Sequence, residues 1–155
     1  MRNKQNGFSL IELLIVVAII LIIAAIAIPN LLRAKIAANQ ASAVGSLRTL
    51  NTACIAYSTS YGQFPAVLSN LGPISSGGTA SSTSADLIDS VLAGGTKSGY
   101  SFTYTAGAGN QSYSITAKPI TAATTGQNMY YTDQSGVIRV DTSGTGAGAS
   151  STPIG

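Results

Sequence analysis

The apolar pattern is strongest near the amino terminus. Between Phe8 and Ile28 the only polar residues are Ser9 and Glu12, so a helix over this stretch would be apolar on nearly every side. As an α-helix, these 21 residues would extend about 31 Å, which matches a bilayer hydrocarbon core of roughly 30 Å. The pattern therefore predicts a helix that can span a membrane.

Past Pro29 the pattern becomes amphipathic. Apolar positions recur at helical spacings of three and four, at Val44, Leu47, Leu50 or Asn51, Cys54 and Tyr57. Gly62 follows Tyr61 as a helix stop, so the sequence predicts one long helix from about Phe8 to Tyr61. Pro29 removes one intrahelical hydrogen bond and predicts a kink.

Shorter elements follow the long helix. Residues 83–86 (TSAD) fit a capping box for a short helix that would use Leu87, Ile88, Val91 and Leu92. Four strand candidates come next, at Tyr100 to Thr105, Ser112 to Lys118, Asn128 to Thr132 and Val137 to Val140. Turn-like residues at 107–110 and 133–136 favour an antiparallel meander.

The predicted fold class is α+β. A long amino-terminal helix, with its apolar half protruding, packs by its carboxy-terminal half on a small antiparallel sheet of about four strands. The predicted segments are a short basic segment (1–7), an apolar helix half that can cross a membrane (8–29), an amphipathic helix half (30–61), a connecting loop region (62–99), the sheet (100–140) and a Gly, Ser and Thr rich flexible tail (141–155).

Composition argues against catalysis and against nucleic-acid binding. The chain has 155 residues, 8% of them charged, and a net charge of +3, which is too weak to attract nucleic acid strongly. Without histidine it lacks the commonest general base and metal ligand, so the sequence predicts no enzyme, no cofactor and no metal site. Cys54 is the only cysteine and lies on the apolar stripe, which predicts a packing role.

Glu12 is the main candidate for a functional residue. A charge in hydrocarbon costs roughly 2.5 to 3.5 kcal/mol, so an acid inside an apolar segment indicates a function by default. Gly7, Phe8 and a glutamate four residues after the phenylalanine resemble the processing and assembly signature of type IV pilins and their relatives, the type II secretion pseudopilins. The resemblance covers about Arg2 to Pro29.

The resemblance implies specific chemistry at these positions. A prepilin peptidase would cut between Gly7 and Phe8, and Phe8 would then carry an N-methyl group. Glu12 would pair with the terminal amine of a neighbouring subunit during filament assembly. The implied partners are other copies of the chain in a helical homopolymer, the peptidase, an inner-membrane pilus or secretion platform, and lipid before assembly. Asp133 and Asp141 are the acids that a calcium site like that of some pseudopilins would use.

Several alternatives compete with this interpretation. Residues 2–27 also fit a secretory signal peptide with a cleavage site at Ala25 to Ala27, and the apolar segment also fits a plain anchor in which Glu12 only reaches the headgroups. The leading hypothesis is a type IV pilin, a major one, held in the bacterial inner membrane as a single-pass protein before it enters an extracellular pilus. The rivals are a periplasmic pseudopilin and an anchored periplasmic binding module.

Overall fold

A single long helix dominates the fold. The computed structural model describes residues 8–74 and 77–154, and its helix α1 spans Leu10–Tyr61, 52 residues, without a break at Pro29. Gly62 ends the helix with a φ of +75°, a conformation that glycine adopts without strain. The predicted helix is confirmed to within two residues, while the kink at Pro29 stays a prediction.

The chain forms two compact units that divide within α1. The first ends at Lys35, and its described part is the apolar portion of the helix. The second begins at Ile36 and contains the rest of α1 together with all the other elements. The second unit has its own hydrophobic core, which the apolar face of the helix and one face of the sheet form together.

The sheet has six antiparallel strands in sequential order, so the predicted meander is confirmed. Its strands are β1 (Thr96–Lys97), β2 (Tyr100–Ala106), β3 (Tyr113–Pro119), β4 (Met129–Asp133), β5 (Arg139–Asp141) and β6 (Thr152–Pro153). The predicted number, about four, was too low. The four predicted strands match β2 to β5 with ends that differ by at most two residues, and the two additional strands, each of two residues, form the edges of the sheet.

The connection between helix and sheet departs from the sequence prediction. It contains a 3₁₀ turn, Leu68–Leu71, and one turn of helix, α2, Ser90–Ala93. The predicted capping box at residues 83–86 was wrong, because the amides of residues 85–88 donate to carbonyls of residues 70–72 and so cannot begin a helix. Asp89 caps α2 instead, accepting the Leu92 amide at 2.9 Å.

The core confirms the predicted stripe on the helix. Leu47, Leu50, Asn51, Cys54 and Tyr57 are buried, and Val44 is partly buried beside them. The facing side chains come from alternate positions of β3, namely Tyr113, Ile115 and Ala117. The alternation along β3 therefore places its apolar face against α1, as a half-buried strand requires.

Candidate assembly site at the amino terminus

The first part of α1 presents an uncovered apolar surface. Every Phe, Leu, Ile and Val from Phe8 to Leu32 is exposed, with exposed fractions between 43% and 80%. The helix is long and apolar enough to cross a membrane, and none of its most apolar 18-residue stretch is buried. Such a surface far exceeds the apolar patches that soluble monomers carry, so it needs lipid or protein partners.

Glu12 lies in the first turn of this helix and is held by the backbone. Its Oε2 accepts a hydrogen bond of 2.8 Å from the backbone N–H of Ser9. The Ser9 carbonyl accepts the Leu13 amide at 3.2 Å, which identifies Ser9 as the helix cap. The carboxylate therefore sits where the unpaired amides and the positive end of the helix dipole favour a negative charge.

The structure describes most of the predicted site residues. Phe8 and Glu12 lie at the same end of α1, Phe8 two residues before the helix begins and Glu12 within its first turn. Pro29 lies inside α1, and Gly7 lies outside the described residues. The sequence argument missed Ser9 as a partner of Glu12, although the spacing Ser9 to Glu12 matches the S-x-x-E capping pattern.

Cys54 and its aromatic neighbours pack the core of the second unit. Cys54 is fully buried, and this burial raises the pKa of its thiol to about 12, so it stays protonated at neutral pH. The rings of Tyr57 and Tyr61 lie 4.6 Å apart, and the Tyr57 hydroxyl donates to the Ser82 carbonyl at 2.6 Å. The packing role predicted for Cys54 is confirmed by this burial.

The two acids considered for calcium lie apart in the sheet. Asp141 pairs with Met129 at one end of β4, whereas Asp133 ends the strand at the other. Each carboxylate binds its own loop, Asp133 through the Ser135 amide at 2.9 Å and Asp141 through the Ser143 hydroxyl at 2.6 Å. Within residues 8–74 and 77–154, no group of three or more His, Cys, Asp or Glu side chains is placed to hold a metal ion.

Comparison with known proteins finds similarity over part of the chain. The family described as the prokaryotic N-terminal methylation motif matches residues 2–28. The type IV major pilin protein PilA of Myxococcus xanthus is 52% identical over 50 residues, 32% of this chain and 23% of that protein. The type IV wide pilus major component PilA4 of Thermus thermophilus is 65% identical over 40 residues, 26% of this chain and 30% of that protein.

A secretion protein is similar over a longer stretch. The type II secretion system core protein G of Aeromonas hydrophila is 33% identical over 64 residues, 41% of this chain and 45% of that protein. The chain thus spans less than half the length of these relatives, and no solved structure matches it significantly. The methylation motif and these relatives show that part of the chain is similar to type IV pilins and to type II secretion core proteins.

Proposed function

We propose that the chain is the major structural subunit of a type IV pilus. In this proposal the protein first resides in the bacterial inner membrane as a single-pass protein. It is then added to an extracellular fibre of identical subunits. It performs no catalysis and needs no cofactor. Support comes from the relatives named as major pilin and major pilus component, and from the methylation motif matched at residues 2–28.

The observation that carries the proposal is the exposed apolar surface from Phe8 to Leu32. Lipid satisfies this surface in the membrane, and the equivalent helices of sister subunits would cover it in a fibre. The second unit needs neither partner, because its core is complete within residues 36–154. The separation into an apolar helix portion and a folded second unit suits a protein that moves from lipid into a fibre. Only the apolar portion changes its surroundings, and the second unit stays folded.

Processing precedes assembly in this proposal. A prepilin peptidase cuts between Gly7 and Phe8, which removes Arg2 and Lys4 and creates a charged amine on Phe8. Glycine before the cut lets extended backbone enter a narrow protease cleft. Methylation of the new amine retains its charge. Mass spectrometry of the mature amino terminus should find N-methylated Phe8 as the first residue, and a start at Ile28 would instead establish a signal peptide.

Glu12 then provides the contact that fixes the axial register between neighbouring helices in the fibre. Its carboxylate pairs with the Phe8 amine of a neighbouring subunit, so neither charge is left alone in an apolar bundle. The remaining side chains along this part of the helix, among them Leu, Ile, Val and Ala, are nearly interchangeable, so they fix the axial position of one helix against another only weakly. The ion pair supplies that specificity.

A second candidate function is a pseudopilin in a type II secretion system, because the similarity to the core protein G of Aeromonas hydrophila extends over 64 residues. Electron microscopy of cells with and without the gene separates the candidates. Loss of long surface fibres on deletion is expected for the pilin. Intact fibres with failed protein export would support the pseudopilin, and intact fibres with normal export would support an anchored binding module.

A further inference from the structure

The first turn of α1 gives Glu12 a partner inside its own chain. The backbone N–H of Ser9 donates to Glu12 Oε2 at 2.8 Å, and the Ser9 carbonyl accepts the Leu13 amide at 3.2 Å. Ser9 therefore caps the helix through both its backbone N–H and its backbone carbonyl. The long Glu12 side chain is folded back onto the helix end and is not extended away from it.

We propose that the backbone N–H of Ser9 is the positioning group that presents Glu12 to the neighbouring subunit. This inference rests on the proposed function. A carboxylate has two oxygens, and the bond to Ser9 uses one of them, so the other can accept the amine of an incoming Phe8. The bond holds that second oxygen beside the start of the mature chain, where a terminal amine has to arrive.

Positioning in advance favours assembly for two reasons. A glutamate side chain has several rotamers, and fixing one of them costs conformational entropy. The bond to Ser9 makes this loss occur when the helix forms, so it does not oppose the association of two subunits. In addition, a carboxylate in an apolar bundle needs more than one partner to offset its loss of water, and the Ser9 amide supplies one of them. The neighbouring amine then has to offset only the rest of the cost of removing the carboxylate from water.

The side chain of Ser9 takes no part in this bond, which offers a matched pair of variants. Ser9→Pro removes the N–H, whereas Ser9→Ala keeps it. We expect Ser9→Pro to lower the number of fibres per cell by about tenfold or more, the effect of losing one hydrogen bond to a charged group. Ser9→Ala should stay within about twofold of the parent, because its Glu12 remains bonded. Equal fibre numbers in the two variants would overturn the proposal.

Fibre counts are compared at equal amounts of cleaved subunit, because a proline beside the cut can slow the peptidase. If Ser9→Pro is not cleaved at all, its fibre count is not informative, and hydrogen exchange tests the Ser9 bond directly. Hydrogen exchange of the Ser9 amide is followed in the full mature chain in detergent micelles. We expect that amide to exchange about tenfold more slowly than in an unstructured peptide, as one charge-assisted hydrogen bond implies.

Two Glu12 variants complete the measurement. Glu12→Leu should abolish the protection of the Ser9 amide, whereas Glu12→Gln should keep part of it, because its amide oxygen still accepts a hydrogen bond. An unchanged Ser9 amide in Glu12→Leu would refute the positioning role. Failure of the proposed function gives a different result. Glu12→Leu cells would then keep their fibres, whether or not the Ser9 amide is protected from exchange.

Discussion

Asn51 on the buried face of α1 donates its side-chain amide to the hydroxyl of Thr132 in β4, at 2.8 Å. The Tyr113 hydroxyl of β3 donates to Asn51 Oδ1 at 3.1 Å, so one helical side chain joins two strands. All three residues are buried. Apolar contacts tolerate small displacements, whereas a satisfied polar network requires one geometry, so this network fixes the position of the helix on the sheet.

The chain from residue 30 onward is expected to be a soluble, folded monomer. It keeps the complete core of the second unit and loses most of the exposed apolar surface. The mature chain from Phe8 should need detergent. Gel filtration and urea unfolding of the shorter chain check this. Cooperative unfolding of a monomer is expected, and a chain without a cooperative transition would show that the sheet depends on neighbouring subunits.

Asn51→Leu should destabilise that soluble chain by about 2 to 4 kcal/mol, because it leaves the buried Thr132 and Tyr113 hydroxyls without their partner. Thr49→Ala is the matched control. The Thr49 hydroxyl is exposed and bonds only the Gly45 carbonyl of its own helix, so its loss should change the free energy of unfolding by less than about 0.5 kcal/mol. Equal effects of the two variants in urea titrations would contradict the role of the network.

Alkaline pH should weaken the second unit through its buried thiol and phenols. Burial raises the pKa of Cys54 to about 12 and that of Tyr100 to about 12, and it also raises the pKa of Tyr104 and Tyr113. Above their ordinary pKa values, about 8.5 for Cys and 10 for Tyr, only the unfolded chain releases these protons. The free energy of unfolding should therefore be highest below pH 8.5 and fall as the pH rises toward 12.

Urea midpoints between pH 7 and 11 measure this decline. Cys54→Ala should delay its onset to the tyrosine range, from about pH 10, because the group with the lowest ordinary pKa is gone. A midpoint independent of pH across this interval would show that these groups ionise as readily in the folded chain as in the unfolded one.

The loop after β5 should open in acid. The Ser143 hydroxyl at 2.6 Å and the Gly146 amide at 3.0 Å lower the pKa of Asp141 to about 2. The carboxylate therefore supports the loop above its ordinary pKa of about 3.9, and the support is lost as the pH falls toward 2. NMR spectra should show the Gly146 amide leaving its folded position over this range. Asp141→Ala should show the open loop already at pH 7, and an unaltered Gly146 amide in that variant would contradict the assignment.

The sequence predicted the elements that local pattern determines. The uniform apolar run indicates a helix by its length, and the stripe ending at Tyr57 indicates one by its repeated spacing of three and four, so together they specify α1. Alternation at Tyr113, Ile115 and Ala117 likewise specifies β3 and its buried face. The cap at Ser9 was also present in the pattern, as a serine three residues before Glu12, and went unrecognised.

The sequence failed where structure depends on distant partners. β6 has two residues, one of them Pro153, in a stretch whose composition predicts a flexible tail, and its strand geometry comes from pairing with Arg139 and Val140. The residues before Asp89 follow a helix-capping pattern, yet their amides bond a 3₁₀ turn far back in the chain. Neither pairing leaves a periodic signal in the residues that form it.

Fibre assembly by Glu12→Leu cells tests the central claim most directly. The leucine suits lipid and helix packing, so the variant should be cleaved, inserted and folded like the parent, but it offers no partner to the Phe8 amine of a neighbour. Leu14→Ala, a substitution on the same exposed stretch without a change in charge, is the control. We expect electron microscopy to show fibres on the control and almost none on Glu12→Leu at equal levels of mature subunit. Parental fibre numbers on Glu12→Leu cells would contradict the account.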